Sequence, residues 1–231
     1  MAAKKPATAA RKRRSTKEAT AAGNLLQELR RRIANQVIPP GSKLLENDLA
    51  GEFGVSRARV RDALAGLERY GLIVRIPNRG AMVSRPDLSA VRDLYDVREV
   101  LEGLCVRLAT KNVPKERWQD LVELFNAPMK RYVEANDFES FLAGYGQFRQ
   151  RVLEAADNRV LSNMLDMIYD QTQTIIRRLI VLPGRAGVGL EEHRAVLAAM
   201  RKGDAEEAER LRRANMRSAR AHFERYQSFV L

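Results

Sequence analysis

Cysteine is almost absent from this chain of 231 residues. Cys105 stands alone, which excludes a disulfide framework and a cysteine-ligated zinc site. It shares a helical face with Leu101, Leu104 and Leu108, so it is expected to be a small buried hydrophobe rather than a reactive thiol. No apolar run approaches the ~18 residues that a membrane-spanning helix needs. The basic N-terminus has no apolar stretch behind it, so no secretory leader and a cytoplasmic location are expected. The sequence also has no nucleophile elbow, no phosphate-binding loop and no paired-carboxylate motif, which argues against an enzyme. Strand signals nearly vanish beyond residue 86, and no heptad pattern is long enough for an extended coiled coil.

What the chain does have is positive charge, unevenly placed. The net charge is +12, with 45% apolar and 30% charged residues, a balance typical of soluble globular proteins. Residues 1–22 carry seven Lys/Arg against Glu18, and residues 23–85 carry eleven against six acids. The remaining 146 residues carry 23 against 22. A basic N-terminal block joined to a nearly neutral body implies that only one end meets a polyanion. The length suits two domains, each able to bury its own core. The division read from the sequence is a disordered basic tail at 1–22, a DNA-binding domain at 23–85 and a helical domain at 86–231. The cluster Arg11-Lys12-Arg13-Arg14 in the tail either tracks phosphates or is a solvated tail without a specific role.

Periodicity supplies the DNA-binding architecture. A first helix is expected from about Asn24 to Val37, burying Leu25, Leu26, Leu29, Ile33 and Val37 and ended by Pro39-Pro40-Gly41. Ser42-Lys43-Leu44 reads as a short strand. Leu45, Leu49, Ala50 and Phe53, then Val60, Ala63, Leu64 and Leu67, form two buried helical faces. Between them Gly54-Val55-Ser56 is a turn whose serine can cap the second helix. That helix opens with Arg57, Arg59 and Arg61. Cations in the positive first turn of a helix cost stability, and a helix whose N-terminal turn meets DNA needs them.

Residues 72–76 and 81–84 are β-rich runs separated by Pro77-Asn78-Arg79-Gly80, a hairpin with an arginine at its tip. Helix, helix-turn-helix and hairpin together make a winged helix-turn-helix, whose tip can reach the groove or backbone beside the recognition helix. Helical periodicity then dominates in segments near 88–111, 115–135, 138–156, 159–181, 187–202 and 204–229. Asp204 with Glu207 fits a capping pattern for the last of them. The expected fold class is mainly α: a winged helix-turn-helix followed by an antiparallel bundle of about six helices.

Taken in register, Pro40-Gly41-Ser42-Lys43-Leu44, Leu49-Ala50, Phe53-Gly54-Val55-Ser56-Arg57, Val60-Arg61-Asp62-Ala63-Leu64, Leu67, Gly71-Leu72 and Gly80 resemble the GntR family of bacterial transcription regulators. The C-terminal part resembles the FadR/FCD subgroup in its shorter, VanR-like branch. Asp93-Leu94-Tyr95-Asp96-Val97-Arg98 with Leu101-Glu102, Glu191-Glu192-His193-Arg194-Ala195, and Gly203-Asp204-Ala205-Glu206 carry that likeness. The resemblance implies a homodimer that binds a palindromic double-stranded DNA operator under the control of a small molecule in the helical domain. It implies DNA contacts from Asn47, Ser56, Arg57, Ala58, Arg59 and Arg61, with Arg79 and Gly80 in the wing. Arginine can pair with guanine O6 and N7, and Arg59 is placed to meet either a base or a phosphate. Asp62 either orients an arginine or is a surface acid.

FCD-type domains commonly hold a divalent metal, and spacing places those ligand positions at Tyr145, Arg149, His193 and Asn215. Only His193 is a ligand type, and a guanidinium beside a metal opposes its binding, so no metal or other cofactor is expected. Tyr145 and Arg149 lie on one helical face, and Arg98 is a further candidate. An arginine fork with Tyr, His and Asn donors suits a carboxylate, with Arg149 replacing the cation that a metal supplies in relatives. The alternative is that Arg149 makes an internal salt bridge. Trp118 is expected in the core, and His222 at the end of the last helix, near its carbonyls. The function expected is a DNA-binding regulator, most simply a repressor, whose effector is a small organic acid. A metal-dependent effector site and an architectural DNA binder without a ligand are the competing readings.

Overall fold

The computed structural model describes residues 25–77, 79–85 and 88–227. The basic tail at 1–22, Asn24 at the expected start of the first helix, Asn78 in the wing turn, Pro86-Asp87 of the connector and the final residues of the last expected helix lie outside them. The described residues form two compact units that divide after Arg85.

The first unit opens with α1 (residues 25–34), followed by β1 (Lys43–Leu44), α2 (Glu46–Phe53), α3 (Arg57–Arg69), β2 (Ile73–Ile76) and β3 (Gly80–Val83). The three strands form an antiparallel sheet in the order β1-β3-β2, with Leu44 opposite Ala81 and Ile76 opposite Gly80. Gly54 ends α2 at φ +61°, a left-handed conformation that glycine adopts without a side-chain clash. Ser56 then caps α3, its Oγ accepting from the Arg59 N–H at 3.4 Å. Leu29, Val60, Leu64 and Leu67 are fully buried against Leu44, Ile73 and Val83, which closes the winged core.

The first helix stops earlier than its apolar pattern suggests. It ends at residue 34, Gln36 takes a left-handed φ of +58°, and the Ile38 N–H closes the turn onto the Arg32 carbonyl at 3.1 Å. Ile38 therefore packs against the core, and Val37, expected inside, is 63% exposed.

The second unit consists of α4 (Leu88–Asn112), a 3-10 turn (Lys115–Trp118), α5 (Gln119–Phe125), α6 (Ala127–Glu134), α7 (Phe138–Ala156), α8 (Arg159–Ile180), α9 (Arg185–Lys202) and α10 (Ala205–Arg225). The segment expected as one helix over 115–135 is broken, so the bundle has seven α-helices among the described residues. Pro128 sits in the first turn of α6 and has no N–H to donate backwards, while Asn126 leaves helical geometry at ψ −112°. The carbonyls freed at the end of α5 are taken up by Arg194, which donates to Phe125 O at 2.7 Å and Asn126 O at 2.8 Å.

Other helix starts follow their caps. Asp137, Asn158 and Asp204 accept from Ser140, Leu161 and Glu207 at 3.0–3.1 Å. Trp118, Phe125, Met129, Phe141 and Leu197 fill the core, and Cys105 packs there with its thiol pushed up to about 12 by burial. No helix among the described residues is long and apolar enough to cross a membrane. In urea denaturation, Leu67→Ala is expected to cost ~2–5 kcal/mol through the cavity it leaves. Val37→Ser should cost less than ~0.5 kcal/mol, the outcome for a surface residue and not for a core one.

Candidate functional site

Two constellations were expected, one in each unit. In the winged unit Asn47, Ser56, Arg57, Ala58, Arg61, Arg79 and Gly80 are exposed, and Arg59 is half-buried. Asn47, Arg57 and Gly80 line one groove between the start of α2, the start of α3 and the strands. Arg57 and Arg61 are four residues apart and lie on one face of α3, 63% and 60% exposed. Glu46 of α2 stands 3.7 Å from the first and 3.6 Å from the second. The acid found beside these two arginines among the described residues is Glu46, which sequence reasoning missed. A half-buried carboxylate at such distances from two exposed arginines steers them without neutralising them strongly. Arg75 of β2, also unanticipated, borders the same groove and pairs with Glu68 at 3.0 Å. Arg79 is in the hairpin turn, where its N–H donates to the Ile76 carbonyl.

In the helical unit Arg98, Tyr145, Arg149, His193 and Asn215 all line a single pocket, with about 690 Å³ of empty space counting its mouth. They come from α4, α7, α9 and α10. Tyr145 stacks on His193 with ring centroids 4.2 Å apart and 25° between planes. Its approach requires Gly189, because a Cβ there would stand 2.5 Å from the Tyr145 hydroxyl. The His193 Nδ1 lies 2.8 Å from the Gly189 carbonyl, which can only accept, so Nδ1 carries the proton. The Nε2 lone pair then accepts from Arg212 Nη1 at 2.8 Å. Burial first, and Arg212 second, push this histidine well below its ordinary value, so the imidazole is neutral.

Arg212 is the residue whose importance sequence reasoning did not see. Its Nη1 also donates to Asn215 Oδ1 at 2.7 Å, and its Nε and Nη2 both reach Glu102 Oε2. Arg98 holds the other oxygen of Glu102 at 3.1 and 2.8 Å. Burial opposes the charge on Glu102, and Arg212 and Arg98 outweigh it, holding the carboxyl well below the usual range. Asn215 donates to Glu192 at 2.6 Å, and Arg185 pairs with Glu192 at 3.0 Å and with Ser218 Oγ at 3.2 Å.

Arg149 is placed differently from the role first expected of it. It forms an internal salt bridge with Asp166 of α8 and lies 4.0 Å over the Tyr169 ring. The cation that meets His193 and Asn215 is the Arg212 guanidinium. Its spacing of three residues before Asn215 on one helical face was the available signal. His222 is turned inward rather than toward the helix-end carbonyls, with a buried Nε2 that finds no partner among the described residues and a pKa lowered chiefly by burial.

These residues do not fit a transition metal. His193 is the single ligand type among the four expected positions, and its one available lone pair is already bonded to a permanent cation.

Two family models match this chain: "Bacterial regulatory proteins, gntR family" over residues 21–83 and "FCD domain" over residues 93–224. The chain belongs to the GntR family and carries an FCD domain. This GntR protein is 27% identical over 183 residues to the uncharacterized HTH-type transcriptional regulator YdhC of Bacillus subtilis (strain 168), covering 78% of this chain and 81% of the relative. It is 30% identical over 183 residues to the "Probable D-xylose utilization operon transcriptional repressor" of Paenarthrobacter nicotinovorans, covering 77% of each chain. Its fold matches that of E. coli McbR/YncC with a TM-score of 0.74 at 20% identity, covering 89% of this chain and 98% of that one. The GntR chain is a DNA-binding transcription regulator and not an enzyme.

The neutral His193 has a measurable consequence. Its folded pKa lies below the unfolded value of 6.5, so the unfolded chain binds more protons as pH falls. The stability it contributes is complete above 6.5 and declines below, by up to about 1.4 kcal/mol per pH unit. The His193 ring resonance is expected to stay constant from pH 7.5 to 5 while the urea midpoint falls. A ring that titrates near 6.5 in the folded protein would contradict this.

Proposed function

We propose that this GntR-family regulator represses transcription by binding a palindromic operator as a homodimer, and that a small organic acid in the helical unit controls its DNA affinity. The observation that carries the effector reading is the gathering of four arginines, Arg98, Arg149, Arg185 and Arg212, around one pocket that also presents Tyr145, His193 and Asn215. Guanidinium forks, hydroxyl and amide donors are the groups that recognise a carboxylate. The apolar remainder of the wall suits a small molecule rather than a macromolecule.

The DNA end of the reading rests on the winged unit. Arg57 and Arg61 project from the start of α3, the surplus charge is concentrated before residue 86, and Asn47 and Gly80 border the same groove. Ser56, Ala58, Arg59 and Arg79 complete the proposed contact set. A single winged unit reads a short half-site, so two copies related by a two-fold axis match a palindrome. Repression is supported by the likeness to the probable transcriptional repressor of Paenarthrobacter nicotinovorans. The cytoplasm, where operator DNA is found, is the proposed location. Control by the effector needs only that the acid bind the DNA-competent and DNA-incompetent arrangements with different affinity.

Gel shifts on DNA upstream of the protein's own gene test the DNA half. Arg57→Ala and Arg61→Ala are each expected to weaken binding about tenfold or more. Where the arginine removed neutralises a phosphate, the slope of log affinity against log salt should also become shallower by about one. For the effector half, small carboxylates should raise the melting temperature and change operator affinity in the same order. A DNA affinity indifferent to every carboxylate that binds would leave an architectural DNA binder instead.

A further inference from the structure

The ionic groups around the pocket pair with one another, and their charges do not cancel. Arg98 and Arg212 share Glu102, Arg185 is held by Glu192, and Arg149 pairs with Asp166. Four guanidinia thus meet three carboxylates, leaving one positive charge. His193 adds nothing to this total, because its Nδ1–H and its Nε2 lone pair are both engaged in the neutral form. A net charge in a largely desolvated space is costly without a counter-ion.

A buried donor on the wall is unused. The Tyr145 hydroxyl is buried and has no partner among the described residues. Arg98 donates to Glu102 through Nε and Nη2 and lies against Tyr95, its guanidinium carbon 5.2 Å from the ring centroid. A free hydroxyl donor and one surplus charge match one carboxylate. Elsewhere the wall is Leu142, Ile176, Leu179, Ile180 and Met216 with the Tyr95, Phe148 and Tyr169 rings. A second carboxylate would be desolvated there with no further surplus charge to meet it, and a row of hydroxyls would meet mostly apolar groups.

We infer that the pocket selects a monoanionic acid with an apolar or aromatic body, held by a built-in guanidinium cluster with no metal ion between ligand and protein. This specificity rests on the pocket being the effector site proposed above. The acceptors that could receive a cation, Glu102 Oε2, His193 Nε2 and Asn215 Oδ1, all converge on Arg212. A metal ion there would have to displace a charge that is fixed in the chain and never deprotonates.

Isothermal titration of the full-length protein with benzoate, hexanoate, adipate, gluconate and benzamide, with and without EDTA, tests the inference. Hexanoate or benzoate should bind at least about tenfold more tightly than adipate or gluconate, and benzamide should not bind. EDTA should change nothing. If adipate or gluconate binds as tightly or more tightly, the organic-acid reading stands and the monoanion selectivity is overturned. Binding that is lost in EDTA and restored by zinc overturns the metal-free arrangement. If none of the acids binds, both readings fall.

A charge change supplies the second arm. Glu192→Gln raises the surplus from one to two, so the affinity ratio of adipate to hexanoate should rise about tenfold in that variant. Tyr145→Phe should weaken hexanoate binding about tenfold with the ratio unmoved, since it removes a donor and no charge. A ratio unchanged by Glu192→Gln, or hexanoate affinity unchanged by Tyr145→Phe, overturns the inference, with circular dichroism showing that each variant folds.

Discussion

A carboxylate that two guanidinia share is the constraint on which the helical unit depends. Glu102 of α4 is held through one oxygen by Arg98, one turn earlier on the same helix, and through the other by Arg212 of α10. Removing one member of such a buried set leaves an uncompensated charge and typically costs ~3–5 kcal/mol. The α4–α10 pairing that these groups span also contributes to the pocket wall, so helix packing and the shape of the pocket rest on the same bonds. From Arg212 the network continues to His193 and Asn215, and through Glu192 to Arg185 and Ser218, joining three helices in one hydrogen-bonded path.

On the effector reading proposed above, such a path gives an incoming anion something to change. Its members are paired with each other, so a carboxylate that takes up a donor redistributes strength among the bonds that remain. Arg149 stands apart from this path: its partner Asp166 is on α8 and is half-exposed, making it the more solvent-accessible of the pairs around the pocket. The pocket wall is therefore held by separate ion pairs, one joining α7 to α8 and the others on α4, α9 and α10.

Much of the winged unit was legible in the sequence because its elements obey local rules. The two apolar faces at helical spacing, the Gly54 turn, the Ser56 cap and the β-rich runs around Arg79 each specify a conformation within a few residues, the exception being Leu45, expected inside, which precedes α2 and is 52% exposed. Misreadings came where a local event outweighed a good pattern. Val37 continues the apolar spacing of α1, yet Gln36 turns left-handed and Ile38 takes the buried place. Pro128 was visible, but its power to split the 115–135 segment depends on Arg194 being present to satisfy the carbonyls that the split exposes. In the pocket the positions Tyr145, Arg149, His193 and Asn215 could be placed by spacing, and their partners could not. Glu102 and Arg212 are 110 residues apart, and periodicity carries no information about a pair that only the bundle brings together.

Arg212 also bears on how sites of this kind can change over generations. Restoring ligand side chains singly at Tyr145, Arg149 or Asn215 would place each of them beside a fixed guanidinium that already occupies the lone pair of His193. None of those steps gains a metal while Arg212 remains, and losing Arg212 first strands Glu102 with half of its bonds. The effects of the substitutions are thus non-additive and dependent on order. Gaining metal dependence faces an epistatic barrier that a comparison of these four positions alone would not reveal.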